Sequence, residues 1–391
     1  MARIEILHAY YFNALGDYPG VIERSIHALA LIGEIGQVDM AIDAHMLWAS
    51  ALWRLGKFPE AMQHGKDALQ LARGSGIRLE EGRALSGLGL IALEQQDHAA
   101  AHDFLNRAVL IARELGHTEL EAKALNNLAN SAGVVQGDFA LAREYYEQAY
   151  ALNHERGDHT EEGANLNNLG FAAAMLGDFE AARAYYQQAL SIAREVGNRY
   201  SEAYTLINLS ALTGLQNDVR ASSGYAREAL ELSRLIGDRA AEAWALLYFG
   251  HVSQLMKAYE QAQQAYKASI LIRNELGQPN MATEPAAGLI ETALAVGDLP
   301  AAMNEVKNIL AYLSSGGTLD GTEEPLRIYY ACYLALEKKG DPRSSELLAK
   351  AVELLDSQVS RLRDEASRRM FVENVPWRLA IHRAKQTFTI D

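Results

Sequence analysis

The sequence is poor in cysteine and proline. Cys332 is the only cysteine in 391 residues, which excludes an intrachain disulfide, and only eight residues are proline. A lone cysteine fits a reducing compartment, and few helix breakers among many alanines and leucines favour an all-helical chain. No apolar run approaches the roughly 20 residues that span a bilayer, and the N-terminus lacks a signal-peptide pattern. We therefore expect a cytoplasmic protein without a membrane partner.

Positive charge is also scarce. The chain has 36 Lys and Arg against 50 Asp and Glu, for a formal net charge of −14. A protein this acidic generally repels nucleic acid and anionic lipid. We do not expect a nucleic-acid partner, although residues 357–391 carry a local excess of basic side chains.

Catalytic and cofactor motifs are missing too. The sequence has no phosphate-binding GxxxxGK[ST] loop, no GxSxG nucleophile elbow and no HExxH zinc motif. His98 and His102 share an i, i+4 spacing, but a zinc site normally takes at least three protein ligands. We expect no catalytic residue, no cofactor and no metal site, and therefore a protein that is not an enzyme.

What the chain does contain is a repeat of about 40 residues. The stretch LGDFEAARAYYQQAL, residues 176–190, has relatives whose tight turns fall near positions 16, 56, 96, 137, 177, 217, 257, 297 and 340. A second glycine recurs in the same rhythm from Gly36 to Gly317. Two breaks per repeat predict two helices, with glycine ending one helix and Asp17, Asp138, Asp178 or Asp298 capping the next. One residue inserted after Asn130 accounts for the single step of 41.

These repeats resemble the tetratricopeptide repeat. The matching positions of the fifth copy are Leu169, Gly170, Gly177, Asp178, Phe179, Ala182, Tyr186 and Ala189. The period exceeds the usual length and the proline after the second helix is missing, so the chain is similar to the long-repeat branch. That branch includes kinesin light chains, polarity adaptors and the sensor arms of bacterial signalling ATPases. The resemblance implies an all-α, right-handed superhelical solenoid of about nine antiparallel helix pairs, with the first helices lining a concave groove.

The two ends of the array differ from its middle. We expect one solenoid over residues 1–357, followed by capping or docking helices over 358–391. The chain begins at the start of a repeat, with Ile4 and Leu7 close to the N-terminus. Because terminal repeats need a polar outer face, we expect either a missing upstream domain or a contact with another copy at this end. The alternative is a first hairpin that serves as its own cap.

Asparagines recur at one register of successive first helices. Asn127, Asn168 and Asn208 share that register, and Asn126 and Asn167 precede two of them. Carboxamides donate and accept at once, so a row of them can pair with an extended peptide backbone. The pattern resembles the asparagine ladder of kinesin light chain. The alternative is that these side chains face water or hold neighbouring helices together by hydrogen bonds to backbone.

Other side chains at neighbouring registers complete the expected groove. They are Arg83, Lys123, Asn130, Phe171, Tyr204, Trp244, Tyr248 and His251. A matching ligand has a carboxylate end near Arg83 and Lys123 and an apolar stretch over the aromatic rings.

The sequence thus predicts a non-enzymatic module that binds a protein or an extended peptide in its concave groove. We expect it to be the sensor or adaptor arm of a larger signalling protein. Two alternatives stay open at this point: a scaffold that self-associates through its N-terminal hairpin, and a regulatory domain that responds to a small molecule.

Overall fold

A computed structural model describes residues 1–33, 37–95 and 97–388. All regular secondary structure in these ranges is helical, so the all-α expectation is confirmed. Over the same ranges, no helix combines the length and the apolar character that crossing a bilayer requires. Three features expected from the sequence lie outside the described residues: the turn near 96, Gly36 and the last three residues, 389–391.

The chain divides into two compact units. The first consists of Met1–Ser131 and Glu144–Arg156, and the second of Ala132–Arg143 and Gly157–Asp391. The boundaries expected from the sequence, 1–357 and 358–391, stay a proposal. The helices of the first unit are α1 (Ala2–Leu15), α2 (Tyr18–Ile32), α3 (Val38–Arg54), α4 (Phe58–Ser75), α5 (Arg78–Glu94), α6 (His98–Leu115) and α7 (Thr118–Asn130). Helix α8 (Phe139–Glu155) contributes residues to both units.

The second unit contains the remaining twelve helices of the described chain. They are α9 (His159–Met175), α10 (Phe179–Glu195), α11 (Arg199–Leu215), α12 (Val219–Ile236), α13 (Arg239–Leu255), α14 (Tyr259–Glu275), α15 (Thr283–Ala295), α16 (Leu299–Ser314), α17 (Pro325–Lys339), α18 (Arg343–Ser360), α19 (Glu365–Glu373) and α20 (Pro376–Phe388). In both units consecutive helices pack as pairs, and the first helix of a pair also contacts the first helix of the next. This arrangement confirms the expected stack of helix pairs.

Small residues allow the helices to approach closely. Ala182 and Ala262 have no exposed surface, and the ring of Tyr266 lies where a Cβ atom on Gly250 or Gly288 would collide with it. Glycine on a first helix therefore makes room for the aromatic ring of a second helix. The core is close-packed at these points, so even one added methyl group would force a shift.

Local capping fixes where the helices begin. The carboxylates of Asp17, Asp138, Asp178 and Asp298 each accept a hydrogen bond from the backbone N–H three residues later, at 3.0–3.2 Å. These four predicted caps are confirmed. The turn residues have positive φ, including the non-glycine residues Asn217 and Lys257 and the glycines 16, 56, 137, 177, 297 and 340. The last left-handed glycine of the second series is Gly316, one position before the expected Gly317.

A π-helical turn, Ser131–Val135, directly follows α7. A π-turn accommodates one residue more than the α-helical ladder. It therefore absorbs the residue that the 41-residue step places after Asn130. The first of the three points where the chain passes from one compact unit to the other falls within this turn, between residues 131 and 132.

The C-terminal helices fold back onto the second unit. Phe371 and Ile381 are buried in one core with Phe139 and Met175. Asn374 Nδ2 donates to the carbonyl oxygen of Gly177 at 2.9 Å. The segment from α19 to α20 thus packs against helix ends almost 200 residues earlier in the sequence, and it closes one side of the site described next.

Candidate functional site

The second unit contains a cavity of about 780 Å³. Its walls come mainly from α9, α11, α13, α15 and α17, the first helices of successive pairs, and α20 adds Trp377 and Ala380. First helices therefore line the inner face of this unit, as the family resemblance implies. The volume lies within the roughly 300–1,000 Å³ that is usual for ligand sites.

Two glutamates meet at one wall of the cavity. The Glu284 carboxylate accepts hydrogen bonds from the backbone N–H groups of Glu323 and Glu324. The Glu323 carboxylate accepts a hydrogen bond from the Tyr248 hydroxyl. Burial, followed by repulsion from Glu323, raises the pKa of the Glu284 carboxyl, and burial also raises the pKa of Glu323. Two carboxylates this close repel each other when both are ionised. A proton shared between them or a cation beside them relieves that repulsion.

A chain of hydrogen bonds crosses another wall. Arg327 forms a two-point ion pair with Glu291, at 2.9 and 2.6 Å, and its Nη1 lies 2.9 Å from His251 Nε2. Because arginine can only donate, His251 accepts at Nε2 and carries its proton on Nδ1, 2.7 Å from the Tyr266 hydroxyl. That hydroxyl donates to Gln254 at 2.9 Å. Burial, and then the charge of Arg327, holds the pKa of His251 well below its usual value.

Aromatic stacking holds Tyr248, the hydrogen-bond donor to Glu323, in place. The Trp244 and Tyr248 rings lie nearly parallel, with centroids 6.2 Å apart. The Arg273 guanidinium lies 4.5 Å from the Trp244 ring centroid. A cation on an indole face is favourable by about 0.5–2 kcal/mol, more when it is desolvated. Trp244 thus positions Tyr248 and contacts Arg273 instead of lining the cavity itself.

The C-terminal helix is attached to the cavity wall by charged contacts. Trp377 Nε1 donates to Glu324 at 2.9 Å, and the Arg378 guanidinium donates to Glu324 at 3.0 Å and to the Met175 carbonyl at 2.6 Å. Only 1% of the Arg378 side chain is exposed, and this burial lowers its pKa. A buried arginine held by a carboxylate and a carbonyl fixes α20 in position.

Four of the groove residues expected from the sequence line this cavity: Phe171, Asn208, Tyr248 and His251. Asn208 Nδ2 also donates to Asn167 Oδ1 at 3.0 Å, which links α11 to α9. This bond joins two side chains, whereas the alternative stated from the sequence was a bond to the backbone of a neighbouring helix. Asn208 also lines the cavity, and its expected role in binding stays a proposal.

Three further expected residues lie together at a smaller cavity. Asn167, Asn168 and Tyr204 line a space of about 150 Å³. Burial, with a smaller effect of Asp238, raises the pKa of Tyr204 to about 12. The hydroxyl of this tyrosine is therefore protonated at neutral pH, and it forms a hydrogen bond with the Asp238 side chain.

The remaining expected residues belong to the first unit. Lys123 pairs with Glu119 at 2.6 Å and Arg83 with Glu80 at 2.8 Å, and both basic side chains are exposed. Asn130 accepts a hydrogen bond from the Tyr146 hydroxyl at 2.5 Å. Asn126 and Asn127 are half-buried on α7. The expected roles of these residues in binding stay proposals.

Several polar residues of the cavity were not predicted from the sequence. They are Glu284, Glu291, Glu323, Glu324, Arg327 and Trp377. The one available signal was TEEP, residues 322–325, where two adjacent carboxylates precede a helix start. Nothing local in this stretch shows that it faces Glu284, about 40 residues earlier.

Comparison with known proteins gives the same architecture. Residues 39–114, 120–195 and 161–235 match a family model described as tetratricopeptide repeat. No curated protein matches the sequence closely enough to count as a relative.

Three solved structures illustrate the similarity. The apo quorum sensor NprR from B. thuringiensis has 14% identity and a TM-score of 0.62, over 90% of this chain and 98% of that chain. The Rap conjugation gene regulator of plasmid pLS20, in complex with the Phr* peptide, has 16% identity and a TM-score of 0.60, over 91% and 99%. A signal transduction ATPase with numerous domains and a tetratricopeptide repeat sensor, from Pyrococcus horikoshii, has 15% identity and a TM-score of 0.54, over 85% and 51%. With sequence identities this low, the structural similarity establishes a shared fold and nothing beyond it.

Proposed function

Because the chain belongs to the tetratricopeptide repeat family, we propose that it is a non-enzymatic regulatory module that binds a peptide or a protein segment in the cavity of its second unit. The observation that carries this proposal is the cavity of about 780 Å³ on the inner face of the first helices. Solenoid proteins commonly bind their partners on such a face. One of the similar structures, the Rap regulator of plasmid pLS20, is itself a complex with a peptide.

The chemistry of the walls suggests what the ligand offers. Leu212, Leu247 and Phe171 provide apolar surface, while Glu284 and Glu323 form one acidic patch. An extended segment with apolar side chains and one cationic group would match both features, because a cation relieves the repulsion between the two carboxylates. This ligand differs from the sequence expectation, which placed a carboxylate end near Arg83 and Lys123.

The test is a selection of short peptides on the full chain, followed by a variant with a filled cavity. Ala211 lines the cavity on α11, and Ala211→Trp would occupy part of its volume. Ala301 is exposed on α16 of the same unit, so Ala301→Trp is the matched control. We expect peptides rich in apolar residues that bind the wild type and Ala301→Trp with equal affinity and bind Ala211→Trp at least about tenfold more weakly.

Circular dichroism has to show equal helix content for the three proteins. If the selected peptides bind Ala211→Trp as tightly as the wild type, the cavity is not the binding site. A selection without any enriched peptide would also argue against the proposal.

The asparagine hypothesis has a test of its own. If Asn208 pairs with the ligand backbone, Asn208→Ala should weaken every selected peptide by a similar factor of about five, since one lost hydrogen bond is worth about 1 kcal/mol. Asn304→Ala, at an exposed position of α16, is the control. An effect confined to peptides of one sequence would point to side-chain recognition instead.

Self-association through α1 is a second candidate. Leu7 and Tyr11 are 59% and 61% exposed on this helix, together with Ile4 at 50%. An apolar patch of this kind often marks an interface. The variant Leu7→Glu/Tyr11→Glu should abolish any concentration-dependent mass increase in sedimentation equilibrium, whereas Leu235→Glu, at an exposed leucine of the second unit, should not.

Three finer points complete the proposal. The module serves as the sensor or adaptor arm of a signalling protein, and it acts in the cytoplasm, where a single unpaired Cys332 is ordinary.

A small-molecule ligand for the same cavity is the remaining alternative. It would be favoured by a metabolite that raises the melting temperature of the wild type but not of Ala211→Trp.

A further inference from the structure

Two histidines face each other within the second helix pair of the first unit. His45 on α3 and His64 on α4 bring their Nδ1 atoms to 3.1 Å. The Asp67 Oδ2 atom, one turn after His64, lies 3.9 Å from each of them. The three side chains are 17%, 19% and 35% exposed, so the cluster lies at the edge of the core and is within reach of solvent.

From this geometry we infer a binding site for one divalent transition-metal ion, of the zinc class, held by His45, His64 and Asp67. In a tetrahedral zinc site with bonds of about 2.0–2.1 Å, neighbouring ligand atoms lie about 3.3 Å apart. The two nitrogens already have this spacing, and the carboxylate needs to approach by only about 0.6 Å. Water would fill the fourth position.

Neighbouring side chains orient two of the three ligands. Gln63 Nε2 donates to Asp67 Oδ1 at 2.9 Å, which leaves Oδ2 directed toward the histidines. The Trp48 ring stacks on the His64 ring with centroids 3.9 Å apart. Partners of this kind fix the rotamers of metal ligands and tune their affinity.

The protonation states also suit a metal. Burial is the main cause that lowers the pKa of both His45 and His64, so both rings are neutral near pH 7 and can coordinate. When no metal is bound, one Nδ1 donates a hydrogen bond to the other. Coordination by both Nδ1 atoms moves that proton to Nε2 of the same ring, without a redox step.

This site was not expected from the sequence: His98 and His102 were the histidine pair considered there, and no metal site was expected. His102 contacts Asn106 on its own helix. His45 and His64 are 19 residues apart on two helices, and the tight turn between α3 and α4 brings them together. The inference concerns the first unit and is independent of the cavity proposed to bind peptide.

The experiment is a titration of the full chain with Zn²⁺ by calorimetry, after removal of metals with a chelator, and a parallel titration with Co²⁺ followed by visible absorption. We expect one Zn²⁺ per chain and intense Co²⁺ bands typical of tetrahedral coordination. His64→Gln and Asp67→Asn should weaken binding by at least about 100-fold, and Gln63→Ala, which loses only an orienting partner, by about tenfold.

His102→Gln is the matched control, since it removes an exposed histidine of the same unit, and it should bind like the wild type. Absence of Zn²⁺ binding by the wild type would overturn the inference. Equal affinities of the wild type, His64→Gln and Asp67→Asn would overturn it as well, because the metal would then bind elsewhere. Circular dichroism of each variant distinguishes a lost ligand from a lost fold.

Discussion

At the scale of single residues, close approach decides which positions tolerate change. Gly177 and Gly197 both adopt a left-handed conformation, with φ of 83° and 70°. A Cβ atom at Gly177 would lie 2.6 Å from the carbonyl oxygen of Met370, whereas at Gly197 it would meet nothing within 4 Å. The two glycines end successive helices, Gly177 after α9 and Gly197 after α10, and of the two only Gly177 contacts the C-terminal segment.

Replacing these glycines therefore has unequal effects. Gly197→Ala should lower the free energy of unfolding by about 1–2 kcal/mol, the cost of a left-handed backbone with a side chain. Gly177→Ala should lower it by at least about 1 kcal/mol more, because the added methyl group displaces the Met370 carbonyl. Urea denaturation followed by circular dichroism measures both. Equal losses would mean that the contact with Met370 contributes nothing.

At the scale of helices, the position of α20 depends on one buried cation. Arg378 bridges Glu324 and the Met175 carbonyl, and its guanidinium carbon lies 4.1 Å from the Phe371 ring centroid. From the sequence we expect capping or docking helices here, and a cap of the array is the favoured interpretation. In the structure it packs against its own unit and forms part of the cavity wall.

Loss of this arginine should release the C-terminal helix. Arg378→Ala removes the cation of a buried pair and leaves Glu324 with the Trp377 N–H as its remaining partner on α20, so we expect a loss of about 3 kcal/mol in unfolding free energy. We also expect faster proteolysis after residue 376. Arg369→Ala on α19, where an exposed pair with Glu373 is lost, should change neither quantity measurably. If Arg378→Ala and Arg369→Ala had the same unfolding free energy and the same rate of proteolysis, Arg378 would not be what holds α20 in position.

At the scale of the whole molecule, the buried acids couple stability to pH. The native state raises the pKa of Glu284 to about 8, so it binds a proton more tightly than the unfolded chain does. Its contribution to stability is therefore fully present below the ordinary carboxyl pKa and is lost as the pH rises toward 8. Burial of neutral His251 has the opposite effect, because its lowered pKa makes the free energy of unfolding increase with pH. That increase ends at the ordinary histidine pKa of about 6.5, below the range considered next.

We accordingly predict that unfolding free energy decreases between pH 7 and 8, by up to about 1.4 kcal/mol per pH unit for one proton. Glu284→Gln keeps an acceptor for the N–H groups of Glu323 and Glu324 and should flatten this dependence. Glu231→Gln, at an exposed position of α12, should retain the wild-type slope. Urea titrations at several pH values provide the comparison, and identical slopes for all three proteins would refute the prediction.

The sequence by itself determined the features that depend on neighbours along the chain. The 40-residue period, the aspartate caps, the left-handed turns and the small positions of the helix pairs follow from local backbone geometry and from packing within one repeat. The inserted residue was visible as a single step of 41, and the structure absorbs it as a π-turn. Phe171, Asn208, Tyr248 and His251 could be named because the register of one helix repeats in the next.

Only the tertiary structure decided which distant residues meet. Glu284 accepts hydrogen bonds from a loop about 40 residues later, and Arg378 reaches a carbonyl 203 residues earlier. Such contacts depend on the rotations accumulated over several stacked helix pairs. The spacing of residues within one repeat does not give these accumulated rotations. The contact of Glu284 with Glu323 and the packing of α20 against the cavity therefore became apparent only in the folded chain.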